Sequence, residues 1–378
     1  VISALQIETS FNGRFQPTRL EDRMRHYYTP GISITIVDEG KIAWSRGFGH
    51  KNIRTENRVD ENTMFLSGSI SKPVFALAVL KLVEAGCIDL DRDVNEYLKS
   101  WKIPKRGKWQ PRVTMRQLLG HTSGLTVQGF PGYRRTAPVP NTVEILKGVA
   151  PANTEPVLVN VLPGTIMCYS GGGITVAQLL VEDMIGKPFP DIMEEVLFKP
   201  LGLKNSTYRQ SPSRQHKKQM AQGYPFYYKA IDGGHHIYPE MAAAGLWSSG
   251  HDLAILMIEV QKALHGERSF FGETIVREML TPQKAAKNIG LGFFLEGTGA
   301  SERFYHNGWD EGFVAKLVSY KHGGKGAVIL LNSNSGNPMI DEILRSVALE
   351  YNWSDYLPKH AALVRLPSRC AGQYCGEY

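Results

Sequence analysis

Strand-forming segments occupy both ends of this chain, and a long helical region separates them. Residues 32–37 and 41–44 alternate in period two around a turn at 38–40, which is the pattern of a β-hairpin. The last third holds further β-rich runs divided by glycine-rich turns, at residues 291–294, 303–305, 313–320 and 325–331. Because a hydrophobic sheet face must be covered, we expect an α/β (α+β) fold, in which one antiparallel sheet built from both chain ends is flanked by helices.

The region between these strands is predicted to be an all-α insert. Within it, apolar residues recur at helical spacing over 114–119, 142–149, 175–185, 191–197 and 246–264, and helices outside it are predicted at 20–28, 74–85 and 339–351. We therefore expect a discontinuous sheet domain at 1–90 and 290–365 and a helical domain at 91–289. Residues 366–378 remain as a C-terminal stub, which we expect to be the start of a truncated segment.

The composition is that of an ordinary soluble globular protein. Hydrophobic residues make up 42% of the 378 residues and charged residues 21%, enough apolar material for a sizeable core. No run of eighteen apolar residues occurs, so we expect no membrane span and a soluble protein, cytoplasmic or exported with its leader removed. The net charge of +7 is scattered over loop-like stretches rather than collected in a basic stripe, so we expect no nucleic-acid partner.

The cysteines and histidines predict neither a disulfide scaffold nor a metal site. His235 and His236 are adjacent, but no HExxH motif or cysteine cluster accompanies them, and a pair of loop histidines is the simpler interpretation. The four cysteines are unevenly spaced and form no CxxC pair: Cys87, Cys168, Cys370 and Cys375. We expect no metal and no other cofactor.

The motif Ser69-x-x-Lys72 stands where an extended segment turns into the apolar helix predicted at 74–85. On a helix, residues three apart share a face with Cβ atoms roughly 5–6 Å apart, so the Lys72 amine can share a proton with the Ser69 hydroxyl. Serine attacks an acyl carbon when a neighbour takes its proton, and a lysine desolvated beside an apolar helix shifts toward its neutral form. Unpaired N–H groups at the helix start can bind the oxyanion of a tetrahedral intermediate. The motif is short enough to occur by chance, so its meaning depends on context.

Two further polar clusters lie where predicted loops meet helices or strands. They are Tyr169, followed by Ser170 and a glycine run, and His306-Asn307-Gly308-Trp309, which precedes the strand predicted at 313–320. Taken singly, each has a structural explanation: a half-buried tyrosine, a loop histidine, a packed tryptophan and, at His121-Thr-Ser-Gly, a turn that shapes a cleft. Their joint occurrence in this order favours catalysis.

Together these clusters resemble the three signatures of the serine β-lactamase and penicillin-binding-protein superfamily, namely Ser-x-x-Lys, Tyr-x-Asn, and Lys-Thr-Gly or its His-x-Gly variant. The likeness is to the class C-like branch and covers most of residues 20–350, in the same order and at similar intervals. It is carried by residues 64–101, 118–125, 163–189, 244–246 with 252–253, and 306–333. The run Ser-Ile-Ser-Lys-Pro is similar in particular to the family VIII carboxylesterases of that branch, and the chain also resembles D-amino-acid peptidases.

The resemblance implies a role for each site residue. Ser69 would be the nucleophile, and Lys72 with Tyr169 the proton-transfer pair, since tyrosine is ordinarily a weak base that needs an adjacent cation. The N–H groups of Ser69 and Trp309 would form the oxyanion hole. A water activated by Tyr169 or by His306 would complete deacylation. The remaining residues that would line the substrate site are Asn307, Gly308, which lets a strand pass close to the substrate, and Gly171.

Two residues depart from the family pattern. Gly171 stands where Tyr-x-Asn has its asparagine, so the amide that helps to hold Lys72 and the acyl amide of a β-lactam is missing. His306 replaces the lysine of Lys-Thr-Gly, and an imidazole that is only partly charged near neutrality would grip a substrate carboxylate less firmly than an ammonium. Esters have no amide N–H to orient and a better leaving group, so they tolerate the change at Gly171 better than β-lactams or peptides.

We therefore expect a serine hydrolase that forms an acyl-enzyme on Ser69. The favoured interpretation is a carboxylesterase for small-molecule esters of modest size, with weak β-lactam hydrolysis. A D-amino-acid-specific peptidase or amidase, or a β-lactamase or penicillin-binding protein, is the first alternative. A catalytically inactive binding or scaffold homologue, suggested by Gly171 and Pro73, is the second. The sequence leaves the oligomeric state open.

Overall fold

The computed structural model describes residues 1–6, 9–11 and 17–361. Contacts between residues divide the chain into two compact units, Met24–Asn337 and a smaller unit formed by Val1–Arg23 with Pro338–Tyr378. The predicted C-terminal stub at 366–378, with Cys370 and Cys375, lies outside the described residues. The division into a sheet domain and a helical domain stays a prediction.

Strands and helices alternate irregularly along the described residues. The strands are β1 (Thr9–Phe11), β2 (Gly31–Asp38), β3 (Lys41–Asn52), β4 (Asn57–Arg58), β5 (Phe65–Leu66), β6 (Trp247–Ser248), β7 (Phe294–Glu296), β8 (Arg303–Asp310), β9 (Phe313–Tyr320), β10 (Gly326–Leu331) and β11 (Lys359–Ala361). The α-helices are α1 (Leu20–His26), α2 (Ser71–Glu84), α3 (Val94–Tyr97), α4 (Met115–Leu119), α5 (Thr142–Lys147), α6 (Gly171–Ile185), α7 (Phe189–Met193), α8 (Arg214–Gln219), α9 (Met241–Ala244), α10 (Gly250–Leu264), α11 (Glu273–Met279) and α12 (Asn337–Glu350). Short 3₁₀ turns lie at Gly68–Ile70 and Gly299–Ser301, and a π-helical turn at Glu194–Phe198.

Seven of the described strands form one antiparallel sheet in the order β4-β3-β2-β10-β9-β8-β7. The two ends of this unit meet where β2 pairs with β10, with Ile34 opposite Ile329. The predicted antiparallel sheet built from both ends of the chain is therefore confirmed. Strand β10 is buried along its whole length between two neighbours, which explains its continuous apolar run in place of strict alternation.

Helix α2 is a buried element that begins three residues earlier than predicted. The 3₁₀ turn Gly68–Ile70 leads directly into it, and residues 71–80 are all buried. Pro73 is the third residue of the helix, where its missing N–H removes no intrahelical hydrogen bond. A proline directly after Lys72 is therefore compatible with the helix.

Helix α6 also begins earlier than predicted, because it includes the glycine run. Ser170 caps it, with its Oγ accepting the N–H of Gly173 at 2.8 Å. The N–H groups of Gly171 and Gly172 donate to the carbonyls of Gln128 and Val127 at 3.1 and 2.9 Å. The first turn of the helix is thus held against a neighbouring loop, and Tyr169 is fixed just before the cap.

Strand β8 contains the cluster that the sequence placed before a strand. It runs Arg303–Asp310, so His306 and Trp309 both lie inside it, paired with Leu317 and Val314 of β9. Asparagine and glycine have low strand propensity, but pairing with β9 overrides it here. Helix α10 begins at Gly250, and the two residues of β6, predicted to be helical, pair with β5 just before the serine turn.

The smaller unit pairs the two chain ends. Strand β1 runs parallel to β11, with Thr9 opposite Lys359. Arg23 Nε donates to Glu342 Oε2 at 2.7 Å, and the Gln6 N–H donates to Ser346 Oγ at 3.0 Å. Among the described residues, every helix is too short or too polar to cross a membrane.

Candidate active site

Lys72 reaches the hydroxyl of Ser69 from one turn farther along the same buried segment. Its Nζ lies 2.8 Å from Ser69 Oγ and 2.8 Å from the carbonyl oxygen of Ala243, in α9. The lysine is only 2% exposed, so both contacts lie in a medium of low polarity, where they are stronger than at a surface. The structure thus brings the Ser69 and Lys72 side chains together on one face, as the spacing predicted.

The turn that carries Ser69 is fastened to a single neighbouring residue. Ser67 N–H donates to the carbonyl of Leu246 at 2.8 Å, and the Leu246 N–H donates to Ser71 Oγ at 3.0 Å. The Ser71 hydroxyl in turn donates to the carbonyl of Gly68 at 2.6 Å. These bonds fix the backbone on both sides of Ser69, whose own side chain remains partly exposed.

Strand β8 passes against this turn with almost no space between the backbones. Gly68 has a φ of +52°, and a Cβ built on it would lie 2.4 Å from the amide nitrogen of Trp309. A Cβ on Gly308 would lie 2.1 Å from the carbonyl oxygen of Ser67. Strand β8 thus passes close to the serine turn at Gly308 and brings the Trp309 amide against Gly68, the residue before Ser69, while the passage of the strand close to a substrate stays a prediction. The Trp309 side chain is 54% exposed, so this residue does not serve as core packing.

Tyr169 lies beside Lys72, and the contact is made by the face of the ring. Lys72 Nζ is 5.0 Å from the centroid of the Tyr169 ring, a cation–π geometry, whereas its hydrogen bonds go to Ser69 and Ala243. The phenol ring also contacts three other rings, with centroids 4.3 Å away for His121, 6.2 Å for Phe294 and 6.3 Å for His306. Tyr169 is thus part of the cluster, although its hydroxyl is not the group that touches the amine.

His306 is a buried, neutral residue. It is 2% exposed, and its Nδ1 lies 2.6 Å from the carbonyl oxygen of Asn307, so Nδ1 carries the proton and donates. Burial, and after it the charge of Lys72, lowers the pKa of His306 to about 3. The expectation of a partly charged imidazole is therefore wrong, because the fold removes water from the ring and places an ammonium near it.

Gly171 and Asn307, the other residues predicted to line the substrate site, differ in their surroundings. Gly171 is buried, and a Cβ on it would lie 2.9 Å from Phe130 Cε2 and 3.0 Å from the carbonyl oxygen of Gln128. An asparagine at this position would therefore require Phe130 and the Gln128 backbone to shift. Asn307 is exposed, and its backbone carbonyl rather than its side chain holds His306.

Three buried titratable residues near the site were not found from the sequence as site residues: His121, which had been assigned only to a turn, Glu240 and Asp310. Burial raises the pKa of Asp310 well above its usual range, opposed by the charge of Lys72. Burial also raises the pKa of Glu240, just before α9, to about 8. Alternation along β8 places Asp310 on the face of His306 and Gly308, a signal that was hidden while this segment was taken as a loop.

The adjacent histidines lie apart from this cluster. His236 Nδ1 is 3.1 Å from the carbonyl oxygen of Pro131, and the His235 ring lies edge-on to Trp247 with centroids 4.8 Å apart. Within the part of the chain that the structure describes, no group of three or more His, Cys, Asp or Glu side chains is arranged to hold a metal ion.

Two curated proteins are similar in sequence to parts of this chain. Protein flp of Staphylococcus aureus (strain MW2) is 26% identical over 194 residues, which cover 51% of this chain and 38% of that protein. Unguisins hydrolase ungD' of Aspergillus campestris is 25% identical over 250 residues, 60% of this chain and 42% of that protein. The chain thus spans about two fifths of the length of these curated relatives.

The fold matches a solved structure over nearly the whole chain. The octameric penicillin-binding protein homologue from Pyrococcus abyssi superposes with a TM-score of 0.73 at 22% identity, covering 90% of this chain and 78% of that one. The family model described as Beta-lactamase matches residues 18–351. The fold is that of the β-lactamases and transpeptidases, with an antiparallel sheet flanked by helices, and the chain belongs to the beta-lactamase family.

Proposed function

We propose that this protein is a serine hydrolase that forms an acyl-enzyme on Ser69, most effectively with carboxylic esters of modest size. The observation that carries the proposal is the 2.8 Å contact between Lys72 Nζ and Ser69 Oγ, on a lysine otherwise held by the Ala243 carbonyl. A nucleophilic serine needs a neighbouring group that accepts its proton. Membership of the beta-lactamase family, whose members are serine hydrolases, supports this assignment.

In the acylation step, Ser69 Oγ forms a bond to the ester carbonyl carbon and gives its proton to Lys72 in its neutral form. The tetrahedral intermediate then collapses, the bond to the alcohol oxygen breaks, and the leaving alkoxide takes the proton. Tyr169, whose ring centroid lies 5.0 Å from the amine, is the proposed second member of the proton-transfer pair. The amides of Ser69 and Trp309 are the proposed donors to the oxyanion, a role supported by the close approach of β8 to the serine turn.

Deacylation requires a water whose proton passes to a base of the site. His306 offers a lone pair at Nε2, because its Nδ1–H is used by the Asn307 carbonyl, but with a pKa of about 3 it is a weak base. That Nε2 is buried and has no hydrogen-bond partner among the described residues. Tyr169 is the alternative base. In either case water attacks the acyl carbon, the bond to Ser69 Oγ breaks, and the proton returns to the serine.

The absence of an asparagine at position 171 favours esters over β-lactams and peptides. Gly171 supplies no side-chain amide that would orient the amide of an acylamino substrate. An ester has no such N–H and a better leaving group. Weak β-lactam hydrolysis is therefore part of the proposal, and the D-amino-acid peptidase, the β-lactamase and the inactive scaffold are the outcomes against which it is tested.

One comparison of substrates separates these functions. The protein is offered nitrophenyl butyrate, a chromogenic cephalosporin and a D-alanyl nitroanilide, with product release followed by absorbance and covalent adducts located by mass spectrometry. Fast ester release with an acyl group on Ser69, absent in Ser69→Ala, is the expected result. Preference for the cephalosporin or the D-alanyl amide would replace the esterase assignment, and no release with no adduct would indicate a scaffold.

A further inference from the structure

His121 holds the segment around Tyr169 at three points. Its carbonyl oxygen accepts the N–H of Cys168 at 2.7 Å, and its Nδ1 accepts the N–H of Ser170 at 3.1 Å. Its ring lies against the phenol ring of Tyr169, with centroids 4.3 Å apart and planes tilted by 34°. The residues on either side of Tyr169 and the ring of Tyr169 itself are therefore all in contact with one histidine.

These contacts require a neutral imidazole with its proton on Nε2. Nδ1 accepts the Ser170 N–H, so it must keep its lone pair. His121 is fully buried, and burial, followed by the charge of Lys72, lowers the pKa of its imidazole well below the usual 6.5. The fold thus keeps His121 in the one protonation state that can hold Ser170.

The backbone of His121 is held in a conformation that side chains other than glycine seldom adopt. Its φ is +53°, in the left-handed region, which few non-glycine residues adopt and in which histidine is enriched together with asparagine and aspartate. The residue follows Gly120, the C-cap of α4, and its N–H donates to the carbonyl of Leu118 at 3.3 Å. Residues with sparsely populated backbone conformations cluster at functional sites, where the surrounding structure holds them in place.

We propose that His121 is a positioning residue that fixes the Tyr169 phenol beside Lys72 and Ser69. The proposal rests on the proposed role of Tyr169 in proton transfer. A buried ring against one face of the phenol, together with hydrogen bonds to the residues before and after it, restricts both the backbone and the side chain of Tyr169. The effect on catalysis is through orientation, since a displacement of about 1 Å in such a group costs on the order of 10²-fold in rate.

Three variants separate the contacts of His121. His121→Asn tolerates the left-handed backbone and keeps an acceptor near Nδ1 while losing the ring. His121→Phe keeps a ring and loses the acceptor, and His121→Ala loses both. His235→Asn is the control, because His235 is a half-buried histidine whose ring packs on Trp247 rather than on Tyr169. Each variant is purified, checked for its thermal unfolding temperature, and assayed for kcat and KM with nitrophenyl butyrate.

A second readout is independent of turnover. Proteins labelled with ¹³C-tyrosine report the ring of Tyr169, whose resonance is identified as the one lost in Tyr169→Phe. We expect His121→Ala to lower kcat by on the order of 10²-fold with KM nearly unchanged, and to shift the Tyr169 resonance. His121→Asn and His121→Phe fall between it and the wild type, and His235→Asn changes neither quantity.

Different outcomes would reject the positioning role of His121 and the proposed hydrolase function. An unchanged kcat in His121→Ala, or equal losses of kcat and unfolding temperature in His121→Ala and His235→Asn, would overturn the positioning role. If the wild type forms no acyl adduct on Ser69, the proposed function has failed, and the Tyr169 resonance alone decides. A resonance that moves in His121→Ala but not in His235→Asn then supports the restraint of Tyr169 by His121, and one that stays in place rejects it.

Discussion

Gly68 and Trp309 approach each other so closely that a Cβ on Gly68 would lie 2.4 Å from the Trp309 amide nitrogen. The two backbones can approach this closely because Gly68 in the serine turn and Gly308 in β8 carry no side chains. The same holds one residue earlier on each segment, where Gly308 meets the carbonyl oxygen of Ser67. The proposed oxyanion site depends on this contact, since it sets the distance between the amides of Ser69 and Trp309.

Replacing Gly68 by alanine should separate these backbones. Gly68→Ala places a side chain at a φ of +52°, which costs about 1–2 kcal/mol, and it also displaces β8. We expect kcat for nitrophenyl butyrate to fall by on the order of 10²-fold or more. Gly86→Ala is the matched control, because Gly86 has a φ of +71° but open space around its Cβ position. It should lose a similar amount of backbone stability, measured by urea unfolding, and keep its kcat. Equal kcat values in the two variants would contradict the role of the contact.

Restoring the family asparagine at position 171 should fail on steric grounds. A Cβ on Gly171 meets Phe130 Cε2 at 2.9 Å and the Gln128 carbonyl at 3.0 Å, so Gly171→Asn should destabilise the protein by about 1–3 kcal/mol without gain in cephalosporin hydrolysis. Phe130→Ala combined with Gly171→Asn relieves one of the two contacts and should recover part of that loss. Gly129→Asn, in the same loop but with open space, serves as the control. Unfolding by urea and cephalosporin turnover measure both effects, and an undiminished stability in Gly171→Asn alone would show that the loop yields.

The parts of this molecule that sequence could predict depend on local spacing. Period-two patterns gave the sheet from both chain ends, and the three-residue spacing of Ser69 and Lys72 gave their contact. Both depend only on the side-chain periodicity of a single strand or helix, and not on what packs against it. The glycine run at the start of α6 lies outside the predicted helix, since glycine has low helix propensity, whereas the Ser170 cap and the loop carbonyls hold it as helix.

The charge states and distant contacts of the site could not be predicted from spacing. His306 is neutral because the finished fold buries it near Lys72, and no local pattern reports that burial. His121 and Ser170 are 49 positions apart in the chain, yet one accepts a hydrogen bond from the other. Such pairings are properties of the packed site, and only the arrangement of α4, α6 and β8 brings them together.

Removing the amine of Lys72 should abolish rapid acylation and leave the fold in place. Lys72→Met keeps a buried apolar stem, but it takes the proton-accepting group from Ser69 and the donor from the Ala243 carbonyl. General-base contributions are typically 10²–10⁴-fold, so we expect the rate of acyl-adduct formation to fall by about that factor. Lys81→Met makes the same chemical change on the same helix, where the amine bonds the Phe270 carbonyl and Glu84. Time-resolved mass spectrometry should show normal adduct formation in Lys81→Met, and a rate as fast in Lys72→Met would exclude Lys72 as the base.

Glu240 should make the folded state less stable as the pH rises. Its backbone carbonyl accepts the N–H groups of Ala243 and Ala244 at the start of α9, while both carboxyl oxygens are buried, with the Tyr133 hydroxyl near them. Burial raises the pKa of Glu240 from 4.5 to about 8. The folded protein therefore keeps this proton at pH values where the unfolded chain has released it, so the folded state binds more protons. Its contribution to stability is full below about pH 4.5 and is lost as the pH rises through about 8.

The variant Glu240→Gln keeps the shape of the protonated carboxyl and cannot ionise, so it should gain stability relative to the wild type as the pH rises. At about 1.36 kcal/mol per pKa unit, the difference in unfolding free energy should grow by on the order of 4 kcal/mol between about pH 4.5 and pH 8. Other groups of the cluster, such as Asp310, titrate in both proteins, and we expect their effects largely to cancel in the difference. Glu267→Gln removes an exposed carboxyl and should show no such trend. Urea unfolding at several pH values measures all three proteins, and a difference between Glu240→Gln and wild type that is independent of pH would mean that Glu240 is already ionised in the folded state.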